Sequence, residues 1–301
     1  MSKQQRDALD QLMRTSPLDL GGDLKEQRVL FEEMLTAHPP AADVVTTPGS
    51  LGGVPVIDIE VGDRRSDSVV LYFHGGAYAV GSAAGSVGLA SDIARQAGTR
   101  VVTVDYRLAP EHPYPAAIED AVAAYRGLLD SGLPAGRIAL AGESAGAGLA
   151  VATLVALKAA GLPQPSSAVV FSPWADLTLT GTSMTRKAAV DPSLTPQGLR
   201  RRVADYVGAA DPDDALISPV FADLTGLPPL LIQVGSHEIL LDDATRLAVR
   251  AAAADVEVTL EVAPGVPHVF QGFAALLDEA GAALASAGAF LRRRLHADTP
   301  A

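Results

Sequence analysis

Apolar positions recur at helical spacing from the start of the chain. Leu9, Leu12 and Met13, then Leu24, Val29, Leu30, Met34 and Leu35, predict helix across 5–38, ending at His38-Pro39-Pro40. The period then changes. Short runs rich in Val, Ile, Leu and Ala predict strands at 44–47, 54–61, 68–73, 100–106, 137–142, 167–172, 230–235 and 256–262. After residue 68, helical patterns separate them at 87–97, 115–129, 145–160, 242–253 and 270–295. Strands that read as continuous apolar runs are covered on both faces. Their alternation with helices implies an α/β fold, with a mostly parallel eight-stranded sheet between helical layers. A helical, Arg-rich insert at 180–210 breaks this rhythm. Together with residues 1–40 it predicts a cap over the sheet's carboxyl edge, where open α/β folds bind ligands. Residues 41–179 and 211–301 then form the α/β domain.

Charge narrows the partners. The 301 residues carry a formal charge of -12 and no basic run that could neutralise phosphates, which speaks against nucleic acid. With no cysteine, disulfides, thiol catalysis and Cys-ligated zinc are excluded. No pair of histidines has helical metal-ligand spacing, so no metal site is expected. The polar start Met1-Ser2-Lys3-Gln4 lacks a signal peptide's apolar core. Gly, Pro or charge also breaks every apolar stretch before membrane-spanning length, and the expected location is cytoplasmic.

Candidate chemistry starts at Gly142-Glu143-Ser144-Ala145-Gly146, between an apolar strand and the Ala- and Leu-rich helix that follows. A Gly-x-Ser-x-Gly turn in that context forces the Ser into a tight backbone and points a helix N-terminus at any negative charge developing there. Ser144 is therefore a candidate nucleophile. His74-Gly75-Gly76-Ala77 ends the strand at 68–73, where consecutive glycines free backbone N–H groups for an oxyanion hole, with Ala145 N–H as a third donor. Among six histidines, His268 lies on a loop after a late strand and fits the base. His38 and His296 flank surface segments, His112 sits in a Pro-rich turn, and His237 reads as a loop residue. Glu238, Asp242 and Asp243 compete to orient His268; Glu238 is nearest the end of its strand.

With these pieces, the chain resembles the hormone-sensitive-lipase-like carboxylesterases, bacterial family IV of the α/β-hydrolase fold. His74-Gly75-Gly76-Ala77 is similar to that family's His-Gly-Gly-Gly motif and Gly142 to Gly146 to its Gly-Asp-Ser-Ala-Gly elbow. The run Asp105-Tyr106-Arg107-Leu108-Ala109-Pro110-Glu111-His112-Pro113-Tyr114-Pro115-Ala116-Ala117 resembles its signature stretch. Ser172-Pro173-Trp174-Ala175-Asp176-Leu177 and Gly226-Leu227-Pro228-Pro229 follow in family order. The resemblance implies a Ser144, Glu238, His268 triad in the chain order Ser, acid, His. It implies oxyanion donors on Gly75, Gly76 and Ala145, and no metal or organic cofactor. Ala77 in place of the third Gly then leaves the hole intact, and Glu143 in place of Asp reads as a carboxylate bracing the elbow. The family's Asp-Pro-x-x-Asp reads Glu238-Ile239-Leu240-Leu241-Asp242, with Glu at the acid position.

The expected activity is hydrolysis of small or short-chain acyl esters, with an amidase, lactonase or peptidase using the same triad as alternatives. Plant hormone receptors similar to these esterases keep the Ser but lack the base, which His268 supplies here. Tyr78, Trp174, Leu12, Leu199 and Tyr206 are the expected pocket residues, and similar enzymes commonly form homodimers.

Overall fold

A computed structural model describes residues 2–37, 39–63 and 66–295; the expectations for His38 and His296 lie outside them. The sheet has eight strands: β1 (Val44–Leu51), β2 (Val54–Val61), β3 (Val69–Phe73), β4 (Arg100–Val104), β5 (Ile138–Glu143), β6 (Ser167–Phe171), β7 (Leu230–Gly235) and β8 (Val258–Ala263). Their order is β1-β2-β4-β3-β5-β6-β7-β8. Only β2 runs antiparallel to its neighbours, β1 and β4. Gly52 and Gly53 turn the β1–β2 hairpin at φ 57 and 86. A Cβ at Gly52 would sit 2.2 Å from the Ala123 carbonyl oxygen.

Successive side chains of a strand face opposite ways, so β3 feeds two cores. Val69, Leu71 and Phe73 pack beneath α4 (Ala116–Asp130), α5 (Ala145–Ala159) and α8 (Leu241–Ala253). Val70 and Tyr72 pack against α3 (Val87–Ala97) and α9 (Asp278–Leu295). All five β3 residues are fully buried, which is why this strand shows no polar alternation. Truncating a core residue such as Leu71 to Ala costs about 2–5 kcal/mol at sites of this kind.

Two helical expectations are revised. The N-terminal pattern forms two helices, α1 (Ser2–Arg14) and α2 (Leu24–Thr36). Asp23 opens α2 by accepting the Lys25 and Glu26 N–H groups. The last pattern is also split, because Phe270–Phe273 makes a tight 3-10 turn before α9 begins at Asp278.

Between β6 and β7 lie α6 (Ser183–Arg186) and α7 (Pro196–Val207). Thr195 caps α7 through the Gly198 N–H, and Pro196 occupies the first turn, where its missing donor is no loss. Buried Asp191 accepts the Ile239 N–H at 2.8 Å, and Ser183 donates to the Ile239 carbonyl at 2.6 Å. This segment thus grips the turn after β7. From the N-terminal side, Leu9 of α1 packs with Val266, Phe270 and Leu277. Arg28 of α2 donates to the Ala79 and Ala109 carbonyls at 2.8 and 2.9 Å.

Candidate active site

β5 runs into α5 through Ser144, whose φ of 56 and ψ of -121 are strained for a residue with a side chain. The turn is tight enough to demand its glycines. A Cβ on Gly146 would lie 2.0 Å from the Phe73 carbonyl oxygen, and one on Gly142 2.4 Å from that of Gly146. Phe171 on β6 accepts the Ser144 N–H at 2.9 Å, anchoring the turn to the sheet.

A continuous hydrogen-bonded chain begins at this serine. Ser144 Oγ is 2.9 Å from His268 Nε2, and His268 Nδ1 is 2.7 Å from Glu238 Oε2. Because a carboxylate can only accept, Nδ1 carries the proton and Nε2 is free to accept the serine hydroxyl. Glu238 is wholly buried at the end of β7. Its second oxygen, Oε1, accepts the Gly235 N–H at 2.6 Å and the Ser172 hydroxyl at 2.9 Å. Such bonds offset the cost of taking a carboxylate out of water. Ser172 Oγ also accepts the Val269 N–H at 3.0 Å, fixing the residue after the histidine. A Cβ at Gly235 would meet the Val266 carbonyl oxygen at 2.3 Å, so the loop that carries His268 lies directly on the end of β7.

The other carboxylates of this segment point elsewhere. Asp242 accepts from the Thr182 hydroxyl and the Ser183 N–H, and buried Asp243 accepts the Ala175 and Asp176 N–H groups. Neither caps α8, whose start has no side-chain cap among the described residues. Burial, with Asp176 nearby, raises the Asp243 carboxyl well above the usual range. His237 donates its N–H to Val266 O, and His112 is exposed in the turn after β4.

Of the expected donors Gly75, Gly76 and Ala145, the first already has an acceptor: Gly75 N–H is committed to Glu143 Oε1 at 2.8 Å. The N–H groups of Gly76, Ala77 and Ala145 have no acceptor among the described residues. Gly76 has φ 109, and a Cβ there would lie 2.2 Å from Val80 O; Ala77 and Tyr78 also have positive φ, 53 and 61. Position 77 therefore does adopt the left-handed backbone that glycine favours, and alanine accommodates it.

Several residues fasten this loop. Tyr106 donates to the His74 carbonyl at 2.8 Å and stacks on its ring at 4.2 Å, Asp105 accepts the Ala83 N–H, and Ala109 N–H reaches Tyr78 O. The His74 ring lies buried and donates from Nδ1 to Gly75 O; desolvation lowers its pKa to about 4. Ser172, Tyr72, Tyr106 and Arg28 were not singled out from sequence. Ser172 and Tyr106 lie inside recognised motif stretches, but the direction of their hydroxyls depends on partners distant in the chain.

Tyr78, Trp174 and Tyr206 form one buried aromatic group. Tyr78 stacks on Tyr206 at 3.8 Å and lies 6.1 Å from the Trp174 ring. Trp174 N–H donates to Ser144 O, and Leu199 is buried on the same α7 as Tyr206. Leu12 does not join them: it is 54% exposed on α1, beside a surface groove shared with Gln4, Gln5, Ala8, Leu9 and Leu276.

Comparison with known proteins agrees with this architecture. A family model described as alpha/beta hydrolase fold matches residues 70–272. An acetyl-hydrolase from Streptomyces hygroscopicus is 45% identical over 90% of each chain. A carboxylesterase, NlhH, from Mycobacterium tuberculosis is 35% identical over 78% of this chain and 76% of its own. The crystal structure of an esterase from the bacterial hormone-sensitive lipase family superposes with a TM-score of 0.94 at 46% identity, covering 97% of this chain and 98% of that one. The fold and site define an α/β hydrolase. Within that fold the chain belongs to the bacterial hormone-sensitive-lipase family of esterases, and it is a carboxylic-ester hydrolase.

Proposed function

We propose that the protein is a serine esterase working through an acyl-enzyme on small, short-chain acyl esters. The observation that carries this is the unbroken chain Ser144 Oγ, His268, Glu238, with bonds of 2.9 and 2.7 Å. His268 Nε2 takes the serine proton as Oγ attacks the ester carbonyl, and the imidazolium that forms faces the buried Glu238 carboxylate. The tetrahedral oxyanion is received by the Gly76, Ala77 and Ala145 N–H groups at the N-terminus of α5. His268 then returns its proton to the leaving alkoxide, and a water activated by the same base hydrolyses the acyl-enzyme. Every step uses side chains and backbone of this chain.

Residues 1–40 and 180–210 act as the cap in this reading. Support comes from the stacking of Tyr206 on Tyr78, one residue beyond the proposed donors, and from the grip of Arg28 on Ala79. The buried aromatic group beside the elbow limits acyl length, and the acetyl-hydrolase similar to this chain points the same way. The test is turnover of p-nitrophenyl acetate, butyrate and decanoate, a lactone and an anilide by wild type and Ser144→Ala. The expected result is a preference for acetate and butyrate, with no turnover by the variant. Preference for the anilide or lactone, or a variant retaining more than a few per cent activity, overturns it.

A further inference from the structure

Glu143 stands immediately before the nucleophile, yet its side chain runs back under the neighbouring loop. Oε1 accepts the Gly75 N–H at 2.8 Å, and Oε2 accepts the Tyr72 hydroxyl from β3. Gly75 leaves room for little else, since a Cβ there would lie 3.2 Å from Glu143 Cγ, Glu143 O and Ser144 Cβ. The next two peptide groups are Gly76 and Ala77, whose N–H groups have no acceptor among the described residues and whose φ values are positive. No helix or strand ladder holds these groups, so their direction depends on where the loop is fastened. The fastening adjacent to them is Gly75 to Glu143, and Glu143 is bonded covalently to Ser144.

We propose that Glu143, in its ionised form, is a positioning residue for ester hydrolysis: it locks the elbow to the oxyanion loop through Gly75, keeping the Gly76 and Ala77 N–H groups on the developing oxyanion. This rests on the reading of Ser144 as nucleophile and of Gly76 and Ala77 as donors. An Asp at 143 is one methylene shorter and falls short of the same N–H without a shift of the loop. Protonation weakens the lock, because an oxygen carrying hydrogen is a poorer acceptor and must find an acceptor of its own.

The ionisable groups around Glu143 are Tyr72 on β3, Asp105 and Tyr106 after β4, His74 in the loop and His268 after β8. Burial keeps both tyrosines well above the usual phenol range and His74 down at about 4, so all three are neutral at pH 7. Desolvation pushes Glu143 itself up to about 7, against the opposite pull of Tyr72, Gly75 and His268. Its lock therefore tightens as pH rises through neutrality.

The experiment compares Glu143→Met, Glu143→Gln, Tyr72→Phe and Ser144→Ala on p-nitrophenyl acetate from pH 5.5 to 9, with active sites counted by phosphonate titration and Tm recorded. Misaligned oxyanion donors lower kcat for Glu143→Met by about 100-fold, with KM changed less than about threefold. The Gln amide oxygen still accepts Gly75 N–H, so Glu143→Gln recovers to within about fivefold of wild type. Its kcat profile shows one ionisation where wild type shows two. Tyr72→Phe, which keeps the carboxylate, loses a few-fold in kcat. An active Ser144→Ala overturns the nucleophile reading itself. With Ser144→Ala silent, the positioning role is overturned if Glu143→Met keeps kcat within threefold per active site, or if Gln is as impaired as Met.

Discussion

Ser172 donates its hydroxyl to Glu238 Oε1 at 2.9 Å and at the same time accepts the Val269 N–H at 3.0 Å. One side chain at the end of β6 thus holds both Glu238 and the loop that carries His268. Its backbone has φ 46, so the hydroxyl is aimed there at some conformational cost.

Ser172→Ala removes a hydrogen bond to a buried charge and orphans a backbone N–H. A stability loss of about 2 kcal/mol is expected, along with roughly a tenfold fall in kcat and little change in KM. Urea midpoints and steady-state kinetics on one short ester check this. An unchanged kcat means that Gly235 N–H alone orients Glu238.

Glu238→Gln keeps the size of the side chain but removes the charge facing His268, and it can favour the wrong imidazole tautomer. Turnover falls by about four powers of ten, as on removing the carboxylate charge of a Ser-His-Asp triad. Asp242→Asn costs about 1 kcal/mol through its bonds to Thr182 and Ser183 and leaves kcat near wild type. Asp243→Asn is similarly mild on turnover, because the amide oxygen can still accept the Ala175 and Asp176 N–H groups. A crippled Asp242→Asn beside an active Glu238→Gln would place the acid one helical turn later.

His74 and Glu143 give opposite contributions to stability against pH. The histidine falls from 6.5 to about 4 on folding, so its contribution is complete above pH 6.5 and is lost as pH drops towards 4. The glutamate rises from 4.5 to about 7, so its contribution is complete below pH 4.5 and is lost as pH climbs towards 7. Each amounts to on the order of 3 kcal/mol, the partial exposure of Glu143 trimming its share, and between pH 4.5 and 6.5 they largely cancel. Glu143→Gln removes one side of that balance. Relative to wild type, it loses stability on acidification at up to about 1.4 kcal/mol per pH unit, while His74→Gln gains. Denaturant midpoints at pH 4.5, 5.5 and 6.5 measure both slopes; parallel lines for all three proteins contradict the assignment.

Deleting residues 1–38 removes the Arg28 bonds to Ala79 and Ala109 and uncovers Val266, Phe270 and Leu277 beneath Leu9. Turnover is expected to fall at least about tenfold, with lower solubility but largely unchanged far-ultraviolet dichroism. A truncated enzyme with wild-type kinetics places these helices away from substrate handling.

The sequence by itself determined the order and type of the elements, because apolar period and turn chemistry are local. The short, fully apolar run Val69–Phe73, closed by Gly75 and Gly76, reads as a strand covered on both faces, and the glycines around Ser144 mark a turn with no room for Cβ atoms. The residues named from motifs, Ser144, Glu238 and His268, meet in one hydrogen-bonded chain. Only the tertiary structure decided where individual polar groups point. Gly75 and Glu143 are 68 residues apart, and it is their bond, set by β3 pairing with β5, that occupies the Gly75 N–H, while those of Gly76 and Ala77 have no acceptor among the described residues. Ser172 and Glu238, 66 residues apart, meet because β6 and β7 are neighbours in the sheet. The direction of a peptide N–H or a hydroxyl is set by the partner that satisfies it, and that partner comes from strand order, which no local spacing encodes.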